Sequence, residues 1–380
     1  MREINIAFIG TGIIAHQHAR LYAEIPGVNV IAACDIDATK LGVFCDQYKI
    51  SHRYTDYRAL LQRDDIVAVD VNLHNNLHKP MSIAVMAAGK HCYCEKPMAG
   101  SYIDALAMQQ AAAQYGKKLH IQLARIYDPA TACAKTLMER GRLGEVYHAR
   151  SYGYRRRGRP FVDGYAEKEF VNSQTAGHGA LYDMGVYHIS RLLYLLETPK
   201  VERISGNVYQ QVPMNEARRI ESAYDVEELG VGLVKFEGGL TMDILESWAI
   251  NGGEFPQSSV HGSLGGIQFA NERELKFFTE IEDYPANCTL DVAAEQYRKR
   301  KVDPDLWMYG NSQAHWIGIL RGEVTPINTA EIALQTMLIS EGIFLSGLLN
   351  REVTADEIPE LCSSNATTRQ ETAVGVFEYV

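Results

Sequence analysis

A disulfide framework needs an even set of cysteines at regular spacing, and this chain lacks one: its seven cysteines (34, 45, 92, 94, 133, 288, 362) are scattered over 380 residues. Cys92-x-Cys94 is spaced too closely for a thioredoxin-like pair and sits in an apolar, strand-like run, so the thiols are expected to be reduced and mostly buried. A metal signature is also missing. His74 and His78 stand four apart without the glutamate of a His-Glu-x-x-His motif, so no structural or catalytic metal is expected. Positive charge is in deficit, with 37 Lys and Arg against 47 Asp and Glu, a net charge of -10. That balance argues against a nucleic-acid surface while leaving room for a local basic patch. There is no run of about 18 apolar residues of the kind that spans a bilayer. Met1-Arg2-Glu3 leads directly into a strand, so the reading is a cytoplasmic protein with no signal peptide and no membrane partner. Internal repeats and low-complexity segments are absent. What is left is an ordinary globular composition, 46% hydrophobic and 22% charged, on a chain long enough for two domains.

The first 35 residues organise the rest. An apolar run, Ile4 to Ile9, ends at Gly10-Thr11-Gly12-Ile13-Ile14-Ala15; a helical segment, a Pro26-Gly27 turn and a second apolar run ending at Asp35 follow. Gly10 permits a tight strand-to-helix turn, Gly12 lets a pyrophosphate approach the backbone, and small Ala15 keeps the helix close to the sheet. The helix N-terminus supplies free N–H groups and a positive dipole end. Asp35, 20 residues past Ala15, can accept hydrogen bonds from an adenosine ribose. A carboxylate there repels a 2′-phosphate, so NAD is favoured over NADP.

Helix and strand continue to alternate to about residue 123. Asp37 is expected to cap a helix over 38–48, and Thr55 one near 56–62. The run 66–71 is expected to end in a polar loop, Asn72-Leu73-His74-Asn75-Asn76-Leu77-His78, with Pro80 opening the next helix. This loop, at the carboxyl end of a strand, is expected to lie along the cofactor, which makes Asn72, His74, Asn75 and His78 candidate cofactor residues. His78 reads equally as a surface or cap-supporting histidine. The strand 90–94 ends in Glu95-Lys96-Pro97. A lysine fixed past a strand end, between an acid and a rigid proline, suits acid/base chemistry, because desolvation and nearby positive charge would lower its pKa; a solvated lysine is the plain alternative.

Beyond residue 123 the alternation breaks down. Arg125-Ile126-Tyr127-Asp128-Pro129 leads into a helix, and a strand follows from Val146. An irregular loop over 154–177 carries Arg155, Arg156, Arg157 and Arg159, either an anion-binding cluster or a solvated turn. In the helix after Gly177-His178-Gly179-Ala180, Asp183 and Tyr187 share a face, and His188 is turned by roughly 100° from Tyr187. Strands over 201–211, 227–236 and 240–250, a strand-turn-strand near 260–267 and two helices, 312–321 and 330–349, complete the reading. The domain boundaries expected are 1–123, 124–355 and a tail, 356–380.

The ordered set of motifs resembles the Gfo/Idh/MocA (glucose-fructose oxidoreductase / inositol dehydrogenase) family over nearly the full length. It comprises Gly10 to Ala15 with His18, Ala88-Gly89-Lys90-His91 through Glu95-Lys96-Pro97, Gly177 to Gly185, the Gly262 to Ile267 turn, and Pro326 to Val353. The resemblance implies an α/β N-terminal Rossmann domain plus an α+β C-terminal domain with a large, mostly antiparallel open sheet. Through that sheet a homodimer or homotetramer would form. It implies that Lys96 is the catalytic lysine and that Asp183 binds substrate or positions the acid/base group. Tyr187 stands where many members carry histidine, so Tyr187, His188 or Lys96 could move the proton. Arg125 and Tyr127 join Lys96, Asp183, Tyr187 and His188 as expected substrate contacts, and Glu95 and Lys96 join the cofactor residues. The family usually has Thr-Pro where this chain has Leu73-His74. The implied activity is NAD-dependent oxidation of a secondary hydroxyl on a sugar, cyclitol or glycoside. Alternatives are an enzyme that retains NAD and oxidises only transiently, and a non-catalytic sugar sensor.

Overall fold

Six short runs pair side by side, the central ones apolar and buried on both faces, and successive strands are joined through helical crossovers. They are β1 (Ile4–Ile9), β2 (Val28–Cys34), β3 (His52–Tyr54), β4 (Ala68–Val71), β5 (His91–Cys94) and β6 (Leu119–Ile121), in the all-parallel order β3-β2-β1-β4-β5-β6. This is a Rossmann sheet. Its order reverses between β1 and β4, and there the carboxyl ends of the strands open a crevice. The computed structural model describes residues 2–253, 255–271, 273–302, 308–372 and 375–379. The chain divides into two units, one of residues 1–122, 308–330 and 364–380, the other of 123–307 and 331–363.

Within the first unit three expectations are corrected. Asp56 rather than Thr55 caps the Tyr57–Leu61 helix, by accepting from Arg58 N–H at 2.9 Å. The stretch after Asn72 is mostly helix: Asn75–Ala87 is helical and Pro80 lies inside it. Pro80 has no N–H to give the carbonyl four residues back. That carbonyl, on Asn76, accepts instead from Thr367 N–H at 2.9 Å, so a residue distant in sequence repairs the ladder. The third concerns 308–330, read as part of the second domain, and the tail. The Ser312–Arg321 helix packs on the first sheet, where Tyr93 OH donates to Ser312 Oγ at 2.9 Å and Trp316 lies 5.5 Å from the His120 ring. Residues 364–380 fold back on the same unit.

The second unit is built on nine strands: β7 (Val146–Tyr154), β8 (Val201–Tyr209), β9 (Leu229–Phe236), β10 (Thr241–Ser247), β11 (Ser259–Gly262), β12 (Gly265–Phe269), β13 (Glu274–Ile281), β14 (Tyr284–Asp291) and β15 (Val353–Thr354). Their order is β14-β13-β12-β11-β7-β10-β9-β8-β15, antiparallel throughout except for β7 with β10. Alternation sets the faces: Ala149, Ser151, Met242, Ile244 and Val234 are buried on one side, while Arg150, Asp243 and Leu233 share the other. The Gly185–Leu195 helix buries Ile189, Leu192 and Leu193. The Thr329–Leu349 helix is long and apolar enough to cross a membrane by length and composition, but 72% of that stretch is buried, as in a core helix. The hairpin β13–β14 escaped the sequence reading because its turn is Glu282-Asp283, two non-glycine residues at φ 49° and 67°, where glycine or asparagine would have signalled it. The arginine loop is largely structural. Arg159 is fully buried between Asp163 and Glu228, each at 2.9 Å, and Arg155 donates to the Gly158 carbonyl at 3.1 Å.

Candidate active site

The sequence-named residues fall into two groups, one in each unit. In the first, Gly10 sits at φ +91°, and a Cβ there would stand 2.1 Å from the Asn72 carbonyl oxygen, so only glycine lets this turn meet the end of β4. Gly12 heads the Ile13–Ala23 helix without a side-chain cap, nothing lies within 4 Å of a Cβ built on it, and Ile13 is 77% exposed, with Ile14 half-buried behind it. Of the first-turn N–H groups, that of Ala15 bonds to the Gly12 carbonyl at 3.1 Å, and those of Ile13 and Ile14 head the helix, where an anion cradle needs donors. Thr11 donates through both N–H and Oγ1 to Asp35 Oδ2 at 2.8 Å, and Asp37 N–H donates to Asp35 Oδ1 at 2.9 Å. The carboxylate is thereby fixed at the tip of β2 with acceptor capacity to spare. Asn72 Oδ1 is a buried acceptor without a partner among the described residues. His74 and Asn75 form the N-cap and first residue of the following helix. An uncapped helix start, a glycine cradle, a held carboxylate and an orphan acceptor at the carboxyl ends of the strands fit a dinucleotide.

Under the Glu95-Lys96-Pro97 turn lies a charged trio that the sequence reading missed. His18 is fully buried, with Nδ1 3.0 Å from Asp70 Oδ2 and Nε2 2.9 Å from Glu95 Oε1. Burial opposes charge on the ring, but Asp70 and then Glu95 outweigh it and raise its pKa to about 10, so His18 is an imidazolium at neutral pH. Burial raises Asp70. It works against Glu95 too, but there the bond and charge of His18 win and hold the carboxyl low. Glu95 Oε2 accepts from Lys96 N–H at 2.9 Å, so the trio fixes the backbone that carries the lysine, and the Glu95 carboxylate is committed inward. The Lys96–Pro97 peptide is cis. His78, also buried, faces the Pro97 carbonyl at 2.8 Å and the Leu73 carbonyl at 3.0 Å and ties those two turns together. The traces in the sequence were an acid, Asp70, inside an apolar run and a histidine on the apolar side of the first helix.

In the second unit, Glu227 accepts from Gly179 N–H at 2.8 Å and Leu181 N–H at 3.0 Å and so caps the helical turn Ala180–Asp183. Asp183 Oδ2 accepts from Trp248 Nε1–H at 3.0 Å. His188 Nδ1 lies 2.9 Å from Glu246 Oε2, and Ser151 Oγ donates to the other carboxylate oxygen at 2.8 Å. Glu246 is fully buried and lies opposite Gly153 in the β7–β10 register. A Cβ on Gly153 would come within 2.2 Å of the imidazole and 2.3 Å of the carboxylate, so this glycine makes room for the pair. A carboxylate at Nδ1 favours the tautomer that carries its proton there, which leaves Nε2 as the acceptor. Tyr187, His188 and Arg125 line one cleft of about 350 Å³ together with Asp128, Arg155 and Met184. Arg125 also pairs with Asp128 at 3.2 Å, and Tyr127 is buried away from the cleft lining. Glu246 was legible in principle, since Met242, Ile244 and Glu246 alternate onto one face. Among the described residues no group of three or more His, Cys, Asp or Glu side chains is arranged so that it could hold a metal ion.

Known proteins resemble this chain in sequence and fold. Residues 4–123 match "Oxidoreductase family, NAD-binding Rossmann fold", and residues 131–268 match the "GFO/IDH/MocA C-terminal domain". The chain is similar to the D-glucoside 3-dehydrogenase of Escherichia coli (strain K12), 26% identical over 65% of this chain and 71% of that one. It is 30% identical to the inositol 2-dehydrogenase of Salmonella typhimurium (strain LT2) over 39% of this chain and 46% of that one. In fold it resembles levoglucosan dehydrogenase in complex with NADH and levoglucosan, with a TM-score of 0.77 at 20% identity, covering 93% of this chain and all of that one. The chain belongs to the GFO/IDH/MocA family of oxidoreductases, with an NAD-binding Rossmann domain at its N-terminal end.

Proposed function

We propose that the protein oxidises, reversibly, a secondary hydroxyl on a sugar, cyclitol or glycoside, using NAD. The observation that carries this reading is the hydrogen-bonded pair His188–Glu246 beside Tyr187 and Arg125 in one cleft, in a chain whose other unit holds Lys96 just past a strand end. The names of the relatives, dehydrogenases of a glucoside and of inositol, support a ring polyol as substrate class. Gly10, Thr11, Gly12 and Asp35 would hold the cofactor, which when bound supplies the hydride acceptor. Lys96 takes the hydroxyl proton and places positive charge on the developing carbonyl oxygen. Tyr187 or His188 assists, and Glu246 holds the imidazole in one tautomer while Asp183, anchored by Trp248, orients substrate. We place oligomer formation, dimer or tetramer, on the outward face of the nine-stranded sheet, where Tyr209, Leu233 and Phe278 are 38–39% exposed on the same side.

Lys96→Ala tests the mechanism. NAD binding should persist in titration calorimetry while turnover drops ~100- to 10,000-fold, the range of a lost proton-transfer group. Turnover equal to that of the parent chain contradicts the assignment.

A further inference from the structure

The end of the chain does more than trail from the last helix. Asp104 gathers its start: Ser364 Oγ donates to Oδ1 at 2.6 Å, Asn365 and Ala366 N–H donate to Oδ2 at 3.0 and 3.2 Å, and Lys79 Nζ lies 3.2 Å from Oδ1. Thr367 is fastened on both sides of Asn76, giving its N–H to the carbonyl that Pro80 leaves free and accepting from Asn76 Nδ2 at 2.8 Å. The chain then turns back as a two-stranded hairpin, Arg369–Thr372 with Gly375–Glu378.

The hairpin brings aromatic side chains to the tip of β2. Phe377 is 1% exposed, its ring 5.4 Å from Tyr57 and 4.9 Å below the Arg58 guanidinium. Tyr379 stacks on Tyr57 at 6.0 Å and 22°, and its hydroxyl donates to Gln370 Oε1 at 2.8 Å. These residues form one wall of a cavity whose other walls include Gly10, Asp35 and Ile36. Asp35 is the acid positioned for an adenosine ribose, so the group next to it in the cavity is the base, and flat apolar walls suit a flat aromatic ring.

We propose that the C-terminal segment 364–379 is part of the cofactor site, with Phe377, Tyr379 and Tyr57 forming a slot for the adenine ring of NAD. The inference rests on the reading of Gly10 to Asp35 as an NAD site. The slot as it stands holds a cavity of about 50 Å³, so seating adenine requires the tail side chains to give way, which ties the tail to cofactor exchange.

The test uses Phe377→Ala, Tyr379→Ala and a chain ending at Ser363, each compared with the parent by calorimetry with NAD, ADP-ribose and nicotinamide mononucleotide, and by stopped-flow release of NADH. NAD and ADP-ribose should bind roughly ten-fold more weakly to each variant, the loss of about one base-stacking contact, and NADH should leave faster. Affinity for nicotinamide mononucleotide should hold. The point variants keep the test sound if the shortened chain does not fold. Unchanged or tighter binding of ADP-ribose in all three overturns the proposal, as does an equal loss of the mononucleotide, which would mark general destabilisation. A parent chain without affinity for NAD overturns the cofactor reading as well.

Discussion

A buried histidine with a carboxylate at each ring nitrogen satisfies both only when protonated, so His18 stores stability in its charge. Removing it leaves Asp70 and Glu95 facing each other without the cation; His18→Gln should cost about 3 kcal/mol or more in denaturant unfolding. The pH dependence follows from the same trio. The folded-state pKa, about 10, stands above the ordinary 6.5, so the stabilisation is complete below about pH 6.5 and is lost as the pH rises through 10. Melting curves across that window should fall for the parent chain and flatten for His18→Gln. In the cleft, Gly153→Ala should drive the His188–Glu246 pair apart and lower turnover roughly 100-fold with NAD affinity intact, the scale of a misplaced catalytic group. A Gly153→Ala enzyme with parental turnover would remove His188 from the mechanism. These residues show what the sequence could and could not reveal. The expectation for Lys96 rests on its neighbours Glu95 and Pro97, which are adjacent in the chain. The supports of the site come from 52 and 77 residues away for His18 and from 58 away for His188, and no local pattern encodes such pairings.

Elements were legible where periodicity and punctuation agree. The strand, glycine turn and helix over 4–23, and the Asp37-capped helix 38–48, follow their caps and apolar runs closely. Pro80 misled because proline usually opens a helix, and only the tail's Thr367 makes its interior place tolerable. The Ser312–Arg321 helix is buried at nine of its ten residues, so it has no polar face whose direction could say that it belongs with Tyr93 and His120. That helix also carries an acid-sensitive group. His315 Nε2 accepts from Ile327 N–H at 3.1 Å, which requires a neutral ring, and burial depresses its pKa to about 4. Because the folded value lies below the ordinary 6.5, its contribution is present above pH 6.5 and is lost as the pH falls through 4. The melting temperature should decline on the acid side, and His315→Gln should soften that decline.

At the scale of the whole molecule, two units carry complementary inventories: one a dinucleotide cradle with Lys96, the other a cleft with Arg125, Tyr187 and His188. The interleaving of residues 308–330 and 364–380 with the first unit was not readable, because contacts across hundreds of residues leave no local trace. The open sheet face makes a prediction of its own. Sedimentation should show a dimer or tetramer, and Leu233→Asp should shift it towards monomer by placing charge in the contact. A parent chain that sediments as a monomer contradicts that surface. The most direct test of the central claim is a screen of cyclitols, sugars and glycosides, following NADH absorbance with NAD and NADP in parallel on the parent chain and Lys96→Ala. The account predicts growth with NAD for at least one ring polyol, weaker growth with NADP, and almost none in the variant. Turnover that survives Lys96→Ala, or no NAD-linked turnover of any ring polyol, contradicts it.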